Sequence, residues 1–287
     1  MSTNIQWFPG HMKKTLGLIK ESLSLVDCVV EILDARVPIA SQNPLVYELI
    51  KHKPSVLCFN KSDLADERAN LAWKEFYKRQ GRELVLTDAQ NGTNIKELVR
   101  VIKKEIDRSF EGKKRTNRRG RIMIVGIPNV GKSTLINRLV GRKACATGNK
   151  PGVTKGKQWL RISEELELLD TPGVLWHKFD DERTAIHLAI TGAIKDEILQ
   201  IDELVLKLIE ILQRDYSEAF SKRYGTVLDG LSPLEAMEAV ARKRAFLASG
   251  GHVDYERCAN MILDEFRKGV ITRASLEKPD MMLRSED

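Results

Sequence analysis

The chain has 287 residues, 42% of them hydrophobic and 30% charged, with a net charge of +7 and a pI near 9.1. That is apolar material for one large core or two ordinary ones and argues against disorder, while the basic balance favours a polyanionic partner. Four scattered cysteines without a C-x-x-C pair argue against a disulfide framework and a zinc site, and no secretory leader or apolar stretch of about 18 residues is visible, so a cytoplasmic protein away from membranes is expected.

An arm, Trp7-Phe8-Pro9-Gly10-His11-Met12, precedes apolar residues at Leu16, Ile19, Leu23 and Val26, whose spacing predicts a helix over 12–25. Compact strand-like runs at 28–33, 56–59 and 84–86 alternate with helical patterns near 43–52 and 66–80, so parallel βαβ units are expected. A helix over 94–109 leads into the basic segment 111–121, which has no apolar period and reads as a linker. The run 121–125 then opens a new strand–loop–helix unit, followed by a loop rich in Gly, Lys and Thr (143–157) and strands at 158–163 and 165–170. Beyond about 180 the strand signals stop, and helices are expected near 181–195, 201–214, 232–249 and 254–268. The expected division is an α/β domain over 1–178, with arm 1–12 and basic joint 111–121, and an all-α domain over 179–287.

Gly126-x4-Gly131-Lys132-Ser133 lies between an expected strand and an expected helix, the context of a phosphate-binding loop. Its glycines let backbone N–H groups face the phosphates, and the helix N-terminus adds its positive end. Asn129, Val130, Gly131, Lys132, Ser133 and Thr134 are the expected cradle, with Lys132 on the β- and γ-phosphates and Ser133 on Mg²⁺. Asp170-Thr171-Pro172-Gly173 ends a later strand, where a carboxylate on the metal side and a glycine N–H at the γ-phosphate are needed. Pro151-Gly152-Val153-Thr154 lies between, and Thr154 offers a second hydroxyl to the metal, with Thr147 as the competing candidate.

Asn60-Lys61-Ser62-Asp63 sits at the end of the 56–59 strand and decides the base. A carboxylate there accepts from the N1–H and the 2-amino group of guanine, whereas adenine offers neither donor, so GTP and GDP are selected over adenine nucleotides. Thr87-Asp88-Ala89 closes the next strand, at the place where a Ser-Ala turn usually supports the base through a backbone N–H. Asp88 departs from that pattern, and Ala89 is the expected donor.

In small GTPases of the Ras type the guanine motifs come last, and here they come first. Joining the old termini and opening the chain elsewhere builds the same site, since folds depend on the adjacency of elements rather than on where the chain begins. With the arm and Asp34-Ala35-Arg36, this order resembles the circularly permuted bacterial GTPases, specifically over about 5–178. The resemblance implies a P-loop GTPase fold, circularly permuted, with a mostly parallel sheet and an all-α C-terminal domain. It implies a monomer acting late on a precursor of the large ribosomal subunit, with rRNA, and ribosomal proteins beside it, as partners of the basic helical tail.

The glutamine that orients the attacking water in many GTPases is replaced here by Val174, so a low intrinsic rate and a catalytic group from elsewhere are expected. The resemblance points to His11 as that group, beside Lys132 and Thr154, and to Asn129 as a ligand of K⁺; local roles for His11 and Asn129 compete with both readings. A nucleotide-gated scaffold with negligible turnover is the rival function.

Overall fold

In the computed structural model, which describes residues 9–111, 119–141, 159–169, 181–194, 200–248 and 250–283, helix α1 (Pro9–Leu23) leads into strand β1 (Cys28–Asp34). All seven residues of β1 are buried, as befits a parallel strand covered on both faces. Two short helices follow, α2 (Pro38–Ser41) and α3 (Pro44–Ile50). Proline near the start of each fits the first turn, and the Asn43 side chain caps α3 by accepting from the Leu45 and Val46 N–H groups. Then come β2 (Ser55–Asn60), α4 (Glu67–Arg79), capped by Asp66, β3 (Glu83–Leu86) and α5 (Ile95–Ser109). Leu98, Val101, Ile102 and Ile106 form the buried stripe of α5.

The second half of the sheet starts with β4 (Gly120–Val125) and α6 (Lys132–Val140), and continues with β5 (Trp159–Arg161) and β6 (Leu166–Leu169). The strand order is β3-β2-β1-β4-β6-β5, parallel throughout except for the β5–β6 pair. The mostly parallel sheet expected from the sequence is present. Because β1 lies beside β4, the strands carrying the guanine motifs and the strand carrying the phosphate loop end on the same edge, and the chain direction across the sheet reverses between them. Such a switch point is where open α/β sheets bind ligands.

The C-terminal region is helical: α7 (Glu182–Ile190), α8 (Ile201–Tyr224), α9 (Pro233–Lys243), α10 (Tyr255–Arg267) and α11 (Asp280–Leu283). Helix α7 stops at Ile190 instead of about 195, α11 is not among the expected helices, and two further helices differ from expectation. Helix α8 runs to Tyr224 instead of stopping at 214, because Phe220 and Tyr224 resume the buried face after a kink at Tyr216 (φ −142°, ψ 30°). The 232–249 helix stops at Lys243: Ala245 takes φ 53°, and a bridge between Leu247 and Val253 closes a turn there. A Ser232–Glu235 capping box and Pro233 start α9, as the sequence signature demands.

The helices do not hang free of the sheet. Val30 and Ile32 of β1, Leu208 of α8 and Phe266 of α10 belong to one continuous buried cluster. The segment after α10 returns along the α/β part, with Ala274 N–H donating to Leu64 O at 3.0 Å and Leu276 N–H to Arg36 O at 2.8 Å. Glu277 is buried there; its carboxylate accepts from the Ile39 and Ala40 N–H groups at the start of α2 (2.5 and 3.1 Å) and lies 2.8 Å from His187 Nδ1. Among the described residues no helix is long and apolar enough to cross a membrane.

Candidate functional site

The loops at the carboxyl ends of β1, β2, β3 and β4 meet at the switch point, and their glycines show how closely. A Cβ on Gly126 would come within 2.6 Å of Ile32 O, and one on Gly131, which takes φ 97°, would fall on the Asn60 amide nitrogen. Both positions therefore require glycine, one for space and one for space and backbone conformation. Gly131 caps α6, so the first-turn N–H groups of Lys132, Ser133 and Thr134 are presented at a helix N-terminus.

Asn60 joins the two motifs. Its Nδ2 donates to Val130 O in the phosphate loop at 2.8 Å, while its Oδ1 accepts from Ala89 N–H at 2.9 Å in the loop after β3. Thr87 Oγ1 adds a longer bond to the same Oδ1 at 3.3 Å. One buried amide thus ties three loops together, and leaving either of its ends unpaired would cost on the order of 1–3 kcal/mol. Asp88 closes its own turn, accepting from Asn91 N–H at 3.0 Å and Asn91 Nδ2 at 2.6 Å. This accounts for an aspartate where the usual pattern has serine. The Ala89 N–H, expected to face a base, is here engaged with Asn60.

Lys61 (φ 58°) directs its Nζ to Asp34 Oδ2 at 3.0 Å. Asp34 is also gripped by the Arg36 fork, Nε to Oδ1 at 2.9 Å and Nη2 to Oδ2 at 2.8 Å. Burial is the largest single influence on Asp34 and opposes its charge, but Arg36 and Lys61 together outweigh it and hold the carboxyl well below its ordinary range. Asp63 is different: it is exposed at the mouth of the site, and partial desolvation followed by the nearby Asp88 charge pushes its pKa up.

A second constellation lies at the end of α7. A helix leaves its last carbonyls without intrahelical partners, and here side chains from three places fill them in succession. Arg267 of α10 donates to Ala189 O (2.8 Å) and Ile190 O (3.0 Å), Arg36 Nη2 reaches Thr191 O (3.4 Å), and Asn129 Nδ2 of the phosphate loop donates to Gly192 O (2.9 Å). Asn129, at φ 60°, is therefore anchored on the helical region. A small cleft lined by Asp34, Lys61, Ile127 to Val130, Thr191 and Ala193 marks this junction.

Of the site residues expected from the sequence, Asn60, Lys61, Asp63, Asp88, Ala89 and Asn129 to Thr134 are brought together at this edge. Thr154, its competitor Thr147, Asp170, Gly173 and Val174 lie outside the described residues, as does the side chain of His11, whose backbone belongs to α1. Sequence reasoning took Asp34 and Arg36 only as part of a family pattern and missed Arg138, Gly192 and the Glu277–His187 pair. A Thr-Gly step after a helical run signals a helix end, but nothing local names the partner of its carbonyls.

Comparison with known proteins agrees with this geometry. Residues 121–228 match the family model described as 50S ribosome-binding GTPase. Ribosome biogenesis GTPase A of Priestia megaterium is 42% identical over 279 residues, covering 96% of this chain and 97% of that protein. A GDP-bound structure of YlqF superposes with a TM-score of 0.68 at 32% identity, covering 92% of this chain and 99% of that one. GNP-bound YlqF from T. maritima gives 0.67 at 32% identity, covering 93% and 98%. With a permuted order of motifs, one guanine-nucleotide edge and relatives matched along nearly their whole length, this chain belongs to the ribosome biogenesis GTPase A family and is a GTPase.

Proposed function

We propose that this GTPase is a switch acting on a precursor of the large ribosomal subunit, with residues 1–178 as the nucleotide-binding part and 179–287 as a helical module that contacts rRNA and neighbouring ribosomal proteins. The observation that carries the nucleotide half is the Asn60 amide, which ties the phosphate loop to the loop after β3 although the motifs stand in permuted order. In this reading Asn129 to Thr134 cradle the phosphates, with Lys132 on the β- and γ-phosphates. Asp63 accepts from guanine N1–H and the 2-amino group, Lys61 flanks the base, and the Asp88–Ala89 turn, whose Ala89 N–H is spent on Asn60, lies against it.

Mg²⁺ fits the first turn of α6, where the Ser133 hydroxyl stands beside phosphate-facing N–H groups and is partly exposed; Thr154 and Asp170 complete its protein ligands, and Gly173 meets the γ-phosphate. The metal neutralises charge developing on the phosphates when bound. Lys132, Thr154 and His11 form the catalytic set. Asn129 is the candidate K⁺ ligand, and since its Nδ2 is spent on Gly192, its Oδ1 is the atom for that ion. With Val174 in the glutamine position the intrinsic rate is low, and the ribosomal particle raises it.

The run of α7 carbonyls supports an output through the helices. α7 follows directly on the segment carrying Asp170 and Gly173, and its end is held by the phosphate loop itself. Lys243, Arg244 and Arg257 offer exposed basic groups for RNA phosphates, with Arg242 beside them paired to Glu238 at 3.2 Å. Arg267 is spent on α7 and Lys268 pairs with Asp264 at 2.8 Å, so neither heads that surface.

Sedimentation of the purified chain with large subunits in GDP and in a non-hydrolysable GTP analogue tests the switch, followed by turnover in the same mixture. The expected result is tighter binding with the analogue, steep loss of binding with salt and stimulated turnover. Equal binding in both states would remove the switch.

A further inference from the structure

The helix that opens the phosphate loop also reaches the far wall of the site. Arg138 of α6 is exposed, and its guanidinium is directed at backbone: Nε donates to Ala89 O at 3.0 Å, and Nη2 donates to Gln90 O. These are successive carbonyls of the loop after β3, and the planar guanidinium fork can hold both at once. A lysine, a point cation on a flexible stem, could not fix two carbonyl directions together.

In a planar trans peptide the C=O and the following N–H point in opposite directions. Holding Ala89 O therefore fixes the direction of the Gln90 N–H. On either side of it the donors of this turn are engaged: Ala89 N–H with Asn60 Oδ1 at 2.9 Å, and Asn91 N–H with Asp88 Oδ1 at 3.0 Å. Gln90 lies between them and is exposed. The loop thus has its frame set by Asn60 on one side, Asp88 within and Arg138 from the phosphate-loop helix. A loop ordered before it meets its ligand does not spend binding free energy on becoming ordered.

We propose that Arg138 is a positioning residue for base recognition, clamping the Ala89 and Gln90 peptides so that the Gln90 N–H meets the carbonyl oxygen O6 of guanine. Adenine carries an amino group at that position, a donor facing a donor, so the same clamp sharpens discrimination against it. Arg138 acts through the loop and touches no nucleotide. The inference rests on the guanine reading of the loop after β3 and adds to it the residue that sets the loop's geometry.

The test is equilibrium binding of GDP, IDP and 6-thio-GDP to the full chain and to Arg138→Ala and Arg138→Lys, with thermal unfolding as a check on folding. IDP keeps O6 and lacks the 2-amino group; 6-thio-GDP keeps the N1–H and 2-amino group and replaces O6 by sulfur, a weaker acceptor. Arg138→Ala is expected to weaken GDP and IDP alike by about tenfold and 6-thio-GDP distinctly less, with Arg138→Lys in between. An equal loss on all three nucleotides would show a general structural effect and overturn the positioning role, as would no loss on any. A wild-type chain that binds GDP and 6-thio-GDP equally would overturn the O6 contact itself, and so is distinguishable from a failure of Arg138 alone.

Discussion

The guanine side of the site and the α7 junction face the same problem, backbone groups left unpaired at the ends of elements, and meet it differently. On the guanine side the partners are close in the fold: Asn60, Thr87 and Ala89 sit at the ends of adjacent strands β2 and β3, and Asp88 caps its own turn. At the junction the partners come from afar, with Arg36, Asn129 and Arg267 converging on one helix end. The first arrangement gives a platform whose frame is set by its own neighbouring strand ends, with the segment after α10 adding bonds at Leu64 and Asp66. The second makes the end of α7 part of the phosphate loop's surroundings, so that a change at either is expected to reach the other.

The largest expected effect separates the two regions by removing the group that serves both. Arg36→Ala leaves Asp34 buried with Lys61 as its remaining cation and strips a donor from Thr191 O. A loss of about 3–5 kcal/mol is expected, measured by urea unfolding, together with weaker GDP binding. A loss under about 1 kcal/mol would mean that the buried fork is not what holds this junction.

Asp63→Asn acts on the guanine side alone. An amide offers a donor where guanine also offers one, so GTP affinity is expected to fall about a hundredfold or more, and xanthosine triphosphate, with an acceptor at position 2, is expected to gain. Unfolding stability should hardly change, because Asp63 is exposed. The raised pKa of Asp63 sets the pH trend: in its proposed role the ionised form accepts from the base, so GTP binding is expected to weaken as pH falls through that raised value, earlier than for an ordinary aspartate.

A smaller effect concerns the sheet beneath both regions. Glu31 is buried on β1, where desolvation raises its pKa from 4.5 to about 6 against the pull of its Gln42 hydrogen bond and the Arg82 charge. A carboxyl whose pKa rises on folding stabilises the fold below its ordinary value, and that contribution is lost as pH rises through about 6. Ionised Glu31 costs about 2 kcal/mol at neutral pH. Glu31→Gln is therefore expected to be more stable than the parent at pH 8 by a comparable amount, with the difference vanishing toward pH 4.5. A pH-independent difference would contradict this.

How much of this was legible beforehand follows from the range of each interaction. The phosphate loop and the N-K-x-D tetrad are local patterns with local physical reasons, and the alternation of strands and helices located them at strand ends. That both sets of motifs share one edge of the sheet follows from their permuted order, whereas the order of the strands is shown only by the structure. What stayed hidden is long-range. Nothing near Arg138 announces Ala89, nothing near Asn129 announces Gly192, and Glu277 reaches α2 from the far end of the chain. The extension of α8 was legible in principle, since Leu208, Leu212, Phe220 and Tyr224 keep to one buried face, but Arg214 and Asp215 interrupt the pattern. Asn129 was readable as a loop asparagine or an ion ligand, and its bond to Gly192 makes it a tie to the helical module as well.

The claim that the phosphate loop and the helical module are coupled through the end of α7 is tested most directly by amide hydrogen exchange over 187–194 in the parent chain and in Asn129→Ala, each with and without GDP. Losing one such hydrogen bond costs about 1 kcal/mol, which leaves the variant folded, and because Asn129 also belongs to the proposed phosphate cradle GDP is added to each protein well above its own measured Kd. The account predicts that GDP changes protection at these amides in the parent and has little effect there in the variant. The same GDP-induced change in both proteins, or none in the parent, would contradict it.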